Sequence, residues 1–165
     1  MTAWDLELDG RRRFDLRLTL ILHPALGLIV WLPYAPPLQD AFRRTYQQLL
    51  QWNDELPFLK FALDPDGRIV LSVEIPMDAL SAAALDLAIA RVLAVADHLV
   101  DASAAWLWPD GKVPSPLPDR RSRGEALLER HAGELAELIG APATLGAVEG
   151  AGGSPESDER EAARP

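Results

Sequence analysis

Three histidines, His23, His98 and His131, are the side chains most able to exchange a proton near neutral pH in this chain. His98 has acidic company. Asp97 precedes it and Asp101 follows one helical turn later, a spacing that could orient an imidazole for acid–base work. The competing reading is a solvated helix face. No two histidines are spaced to share a metal ion, and HExxH is absent. There is no cysteine, which removes disulfides, thiolate zinc sites, iron–sulfur clusters and cysteine nucleophiles. A serine nucleophile needs a sharp turn such as G-x-S-x-G, and Gly153-Ser154 lies instead in an acidic tail. The glycines from Gly140 to Gly153 lack the lysine and the strand–helix frame of a phosphate loop.

The remaining polar groups read as architecture. Asp64-Pro65-Asp66-Gly67 has too few ligands at fixed spacing for a calcium loop, and Asp, Pro and Gly are what a tight turn requires. Arg11-Arg12-Arg13 and Arg120-Arg121-Ser122-Arg123 are short basic runs, expected as solvated turn and linker. No catalytic, cofactor-binding or metal-binding residue is therefore assigned. The five tryptophans are more informative. Some must be core, and Trp31, Trp52, Trp106 and Trp108 are the candidate partner-binding residues, because exposed aromatic rings mark contact surfaces; tertiary packing is the competing reading.

Composition narrows the partner. Sixteen basic and 25 acidic residues leave a net charge of −9, which argues against nucleic acid. Hydrophobic residues make up 48% of 165, enough for one core of ordinary size. Prolines 24, 33, 36 and 37 interrupt the apolar stretches before they reach membrane-spanning length. Met1 to Gly10 carries Asp5, Glu7 and Asp9 and does not read as a signal peptide. A cytoplasmic protein that meets neither membrane nor nucleic acid is expected.

The elements that must position these residues follow from periodicity. Trp4, Leu6 and Leu8 alternate with acids, and Phe14, Leu16, Leu18 and Leu20 repeat the pattern, so each predicts a half-buried strand. A turn at His23–Gly27 leads to a third strand over Leu28–Tyr34. Leu38, Phe42, Tyr46 and Leu49/Leu50 then recur at helical spacing until Pro57. The pair 58–63 and 68–75 predicts a hairpin about Asp64–Gly67. Ser81 is the N-cap of an alanine-rich helix expected to reach about Ala105. Trp106–Pro118 reads as irregular connector, Gly124–Ile139 as one amphipathic helix, and the chain from Gly146 as disordered. The order β-β-β-α-β-β-α predicts an α+β fold: an antiparallel sheet of about five strands with helices packed on one face.

One segment carries a resemblance. Leu49-Leu50-Gln51-Trp52-Asn53-Asp54-Glu55-Leu56-Pro57-Phe58, followed by Lys60 to Leu71 and Glu74-Ile75-Pro76, resembles the YbjN domain family, and Ala96-Asp97 in the next helix fits as well. Similarity extends over about Phe14 to Trp108. YbjN domains are similar in fold to type III secretion chaperones of the Tir-chaperone class, which are bacterial, acidic, homodimeric α+β proteins. The resemblance thus implies a chaperone-like or regulatory protein without enzymatic activity or cofactor, holding a protein partner on apolar sheet and helix surface, and itself a homodimer. It departs from the family at its start, where a strand replaces the usual opening helix. The organisation expected is a YbjN-like domain over 1–108, a Pro/Arg-rich connector over 109–123, an amphipathic helix over 124–140 and an acidic tail over 141–165. The alternative is a small-ligand binder or enzyme that uses the Asp97/His98/Asp101 helix face.

Overall fold

The computed structural model describes residues 1–37, 42–115 and 120–140; the expected tail, Leu38 and the Pro116 and Pro118 part of the connector lie outside them. Five strands, β1 (Thr2–Leu8), β2 (Leu16–His23), β3 (Gly27–Ala35), β4 (Lys60–Leu63) and β5 (Ile69–Ile75), form one antiparallel sheet in the order β1-β2-β3-β5-β4. Among the described residues five helices accompany it: α1 (Phe42–Glu55), α2 (Ala82–His98), α3 (Ala104–Leu107), α4 (Glu125–Arg130) and α5 (Ala132–Gly140). This is the α+β arrangement that the alternating strands and amphipathic helices predict.

Alternation decides which side of the sheet is core. Leu16, Leu18 and Leu20 on β2, Leu28, Val30 and Leu32 on β3, and Ile69, Leu71 and Val73 on β5 all face one way and are buried. Buried side chains of α1 and α2, among them Leu49, Trp52, Ala88, Val92 and Val95, complete the same cluster. Pro33 has no N–H to give the ladder, and the β3–β5 register shifts between Pro33 and Ala35. At that irregularity Tyr34 is fully buried, its hydroxyl 2.6 Å from Ser103 Oγ.

Two helix boundaries differ from the periodicity. The alanine-rich helix ends at His98, not near Ala105, because Leu99 turns to φ −88° and ψ 4° and Val100 N–H bonds to the Asp97 carbonyl. That tighter turn lets Val100 and Ser103 both be fully buried before α3 begins. The expected helix over Gly124–Ile139 is two helices, divided at His131 with φ −106° and ψ 21°. Both pack on α2, and Leu128, Leu135 and Leu138 belong to the single core cluster. No helix among the described residues is long and apolar enough to cross a membrane.

Candidate partner-binding surface

The α2 face that carries Asp97, His98 and Asp101 is built around a carboxylate that holds backbone. Asp97 lies in the last turn of α2, where an acid is disfavoured by the helix dipole. The loop between β1 and β2 compensates. Three successive backbone N–H groups point at the carboxylate: Arg11 N–H at Oδ2, Arg12 N–H at Oδ1 (3.0 Å) and Arg13 N–H at Oδ1 (2.8 Å). Such a run of donors forms an anion nest. Gly10 makes the approach possible, since a Cβ there would collide with the Asp97 carboxylate. The expectation of a solvated arginine turn therefore holds for the side chains of Arg11 and Arg12, which are exposed, but not for the backbone that carries them.

Neighbouring groups are similarly engaged. Asp101 accepts both Arg12 guanidinium nitrogens at 2.7 and 2.8 Å, and this pair holds its carboxyl below the ordinary value. His98 is exposed. Asp97 and His98 thus do not form a catalytic couple: both Asp97 oxygens already accept backbone N–H donors. A groove of about 830 Å³ is lined by these groups together with Ala94, Leu128, Leu135 and Ile139. Among the described residues no cluster of three or more His, Asp or Glu side chains could hold a metal ion.

A second carboxylate ties the C-terminal helices to the sheet. Asp9 is 1% exposed. It accepts Asp15 N–H at 2.8 Å, and from Arg123 the Nε (2.7 Å), Nη2 (2.8 Å) and backbone N–H (3.2 Å). The Arg123 guanidinium hydrogen bonds, aided by the two backbone donors, hold the Asp9 carboxyl far below its usual value against the opposing cost of burial. Arg123 also reaches Glu7 at 2.7 Å and Asp15 at 2.9 Å. Of the run expected as solvated linker, Arg123 is a clasp with a buried anion in its fork.

The four tryptophans separate cleanly. Trp52 is 3% exposed and packs on Phe61 and Trp106, with ring centroids 5.3 Å away in each case. It is core. Trp106 is partly buried against Trp52, and Trp108 is partly buried beside Arg13, Phe14 and Pro114. Trp31 is different. It stands on the sheet face opposite the helices, at the middle of a row that crosses all five strands: Asp5, Thr19, Trp31, Ser72, Lys60. Ile29 and Pro33 flank it along β3, Ile21 lies beside Ile29, and Val70 beside Pro33. Ile21, Ile29, Trp31 and Pro33 are all partly exposed although they sit on the inner strands of a five-stranded sheet. The rim is polar, with Thr19 donating to Asp5 at 2.8 Å and Lys60 paired to Glu74 at 3.2 Å.

An apolar centre within a polar rim is the anatomy of an interaction surface. The sequence signal for it was present in the alternation of β3, where Ile29, Trp31 and Pro33 occupy the positions that would be polar on a strand with one wet face. The model of the YbjN family, described as "Putative bacterial sensory transduction regulator", matches residues 11–105. The chain belongs to the YbjN family. No curated protein matches it in sequence. The YbjN segment includes β2 to β5, α1 and α2, and with them Trp31, Trp52 and the Asp97 nest; β1 and the helices α4 and α5 lie outside it.

Proposed function

We propose that this YbjN protein is a non-enzymatic regulator that binds an apolar segment of a partner polypeptide on the open face of its sheet, with Trp31 as the central contact. One observation carries the reading: the inner strands present Ile21, Ile29, Trp31 and Pro33 to solvent on the face that no described helix covers. Aromatic residues at the centre of a patch, ringed by polar groups, supply most of the binding energy in protein interfaces. The family's regulatory description supports a role without catalysis, and so does the engagement of Asp97 and Asp101 in structural bonds.

The test is affinity capture from the native host with wild type, Trp31→Ser and Trp108→Ala in parallel, followed by direct affinity measurement on the partner identified. The expected result is a loss of at least about tenfold in affinity for Trp31→Ser, the magnitude of a removed aromatic hot spot, with Trp108→Ala close to wild type. A partner held equally well by Trp31→Ser would move the interface off this face.

A further inference from the structure

The two edges of the sheet are treated differently. At one edge, β4 is four residues long and begins with Lys60. Its outward backbone is capped: Asn53 Oδ1 accepts Phe61 N–H at 2.6 Å, and Asn53 Nδ2 donates to the Phe61 carbonyl at 3.1 Å. A short, charged, side-chain-capped strand is how proteins prevent edge-to-edge pairing. At the other edge, β1 runs seven residues, TAWDLEL, in unbroken register with β2. It has no proline, no lysine and no bulge, and no side chain among the described residues caps its outer backbone as Asn53 caps β4. Its donors and acceptors specify what can cover it, which is another strand.

We propose that β1 pairs antiparallel with β1 of a second copy, about a two-fold axis through Trp4, joining two five-stranded sheets into one. The side chains discriminate among the registers centred on Trp4, Asp5 and Leu6. On β1 the helix-side positions are Trp4, Leu6 and Leu8, and the open-face positions are Ala3, Asp5 and Glu7. A two-fold axis normal to the sheet keeps each face on its own side, so residues of like parity meet. Centred on Asp5, it sets Asp5 against Asp5 of the second copy. Centred on Leu6, it sets Asp5 against the other copy's Glu7, twice. Both registers place like charges directly opposite, which destabilises a pair of strands.

Centred on Trp4, each Asp5 faces the other copy's Ala3, each Leu6 faces Thr2, and the two Trp4 rings meet. Cross-strand aromatic pairs are among the most favourable. Trp4 is 48% exposed in the single chain. It borders an apolar groove of about 460 Å³ lined by Leu20, Leu22, Leu28, Leu80 and Leu85, beside which the second copy's Trp4 would lie. Because β1 precedes the segment that matches the family, the interface is a property of this chain and does not depend on the proposed role of Trp31.

Sedimentation velocity over a concentration series tests the pairing, and Ala3 tests the register. Ala3 is exposed on the open face, so charged residues there leave the fold intact. Ala3→Lys gains two opposite pairs with Asp5 and should tighten the dimer roughly fivefold; Ala3→Glu gains two like pairs and should weaken it by a similar factor, both effects shrinking in high salt. The chain has no cysteine, so Trp4→Cys, Asp5→Cys and Leu6→Cys give a direct reading. Oxidation should link two chains fastest in Trp4→Cys, whose Cα atoms would lie about 4.5–5.5 Å apart. A monomer at every concentration, a dimer indifferent to charge at position 3, or faster linking at positions 5 or 6 would each overturn the proposal. A foreign strand on β1 would show as a monomer whose outer β1 amides become protected from exchange only in the presence of that strand.

Discussion

The end of α2 and the open face of the sheet invite opposite readings, and each behaves contrary to its first appearance. Asp97, His98 and Asp101 look like chemistry, a histidine between acids on one helical turn. Yet the acids there are committed, one to three backbone N–H groups and the other to the Arg12 fork. The β3 strand looks like plain architecture, an apolar run between two turns. Yet Ile29, Trp31 and Pro33 point away from the core. Polar groups near a helix end are cheap to place and easily recruited to hold a loop. Apolar groups on an uncovered face have no such internal use, and the proposed function gives them one.

The largest expected effect lies at the polar end of this comparison. Asp97→Ala strips the acceptor from the nest and leaves the part-buried N–H donors of Arg11, Arg12 and Arg13 without it, so urea denaturation should show a loss of about 3 kcal/mol. Asp97→Asn keeps one carbonyl oxygen but turns an NH₂ group toward N–H donors, and should recover only part of the loss. A catalytic Asp97 would give the reverse pattern, near-normal stability with lost turnover, and so would dissolve the contrast.

Next comes the acid response of the Asp9 clasp. The folded-state value is depressed, so Asp9 holds its proton less tightly in the native protein than in the unfolded chain. Its contribution is therefore fully present above the unfolded value of about 3.9 and is lost as the pH falls toward the folded value. Asp15, Asp64 and Asp101 are displaced in the same direction, so the part due to Asp9 is isolated by comparison with Asp9→Asn. That variant should be less stable than wild type at pH 7, by about 2 kcal/mol for lost hydrogen bonds to a charged, buried acceptor, and should converge toward it at pH 3. Parallel curves across that range would mean that Arg123 does not hold Asp9 in solution.

How much of this contrast was legible depends on the range of each interaction. The five strands, the α1 and α2 helices, the Ser81 cap with its oxygen accepting Ala84 N–H at 3.1 Å, and the Asp64 turn are local, and local patterns of period two or 3.6 write them directly. Asp97 meets a loop 84 to 86 residues away, and Asp9 meets an arginine 114 away. Nothing in either neighbourhood announces those meetings. Gly10 was the one available sign, a glycine beside three arginines where any other residue would block the carboxylate. The tryptophans show the same limit: Trp31 stands in an apolar run yet is partly exposed, whereas Trp52, between Gln51 and Asn53, is core, so local composition does not separate them. The division of the last helix at His131 was invisible because no proline marks it.

On the apolar side of the comparison the effect on stability should be small and the effect on binding large. Trp31→Ser removes a ring that already faces solvent in part, so the unfolding midpoint should move by the equivalent of about 1 kcal/mol or less. Thermal or urea unfolding alongside the partner titration separates the two readouts. A loss of several kcal/mol would place Trp31 in a packed interior and make the open face an extension of the core.

The smallest expected effect is the sharpest test of the polar side, because it concerns the only group there left without a structural task. His98 is exposed and lines the α2–α5 groove, and its acidic neighbours are bonded elsewhere. His98→Ala should therefore leave unfolding within about 0.5 kcal/mol of wild type, as for ordinary surface substitutions, and should leave partner affinity unchanged. The substitution separates the surface from the groove: if His98→Ala weakened binding as much as Trp31→Ser, the partner would have to span from the sheet to the helices on its opposite side. A partner that closes around β4 could do so, and one seated only on the open face could not. Titrating the double variant decides between them. Independent losses that add mean two contacts on one partner, whereas no further loss beyond Trp31→Ser alone means that His98 acts only through the fold.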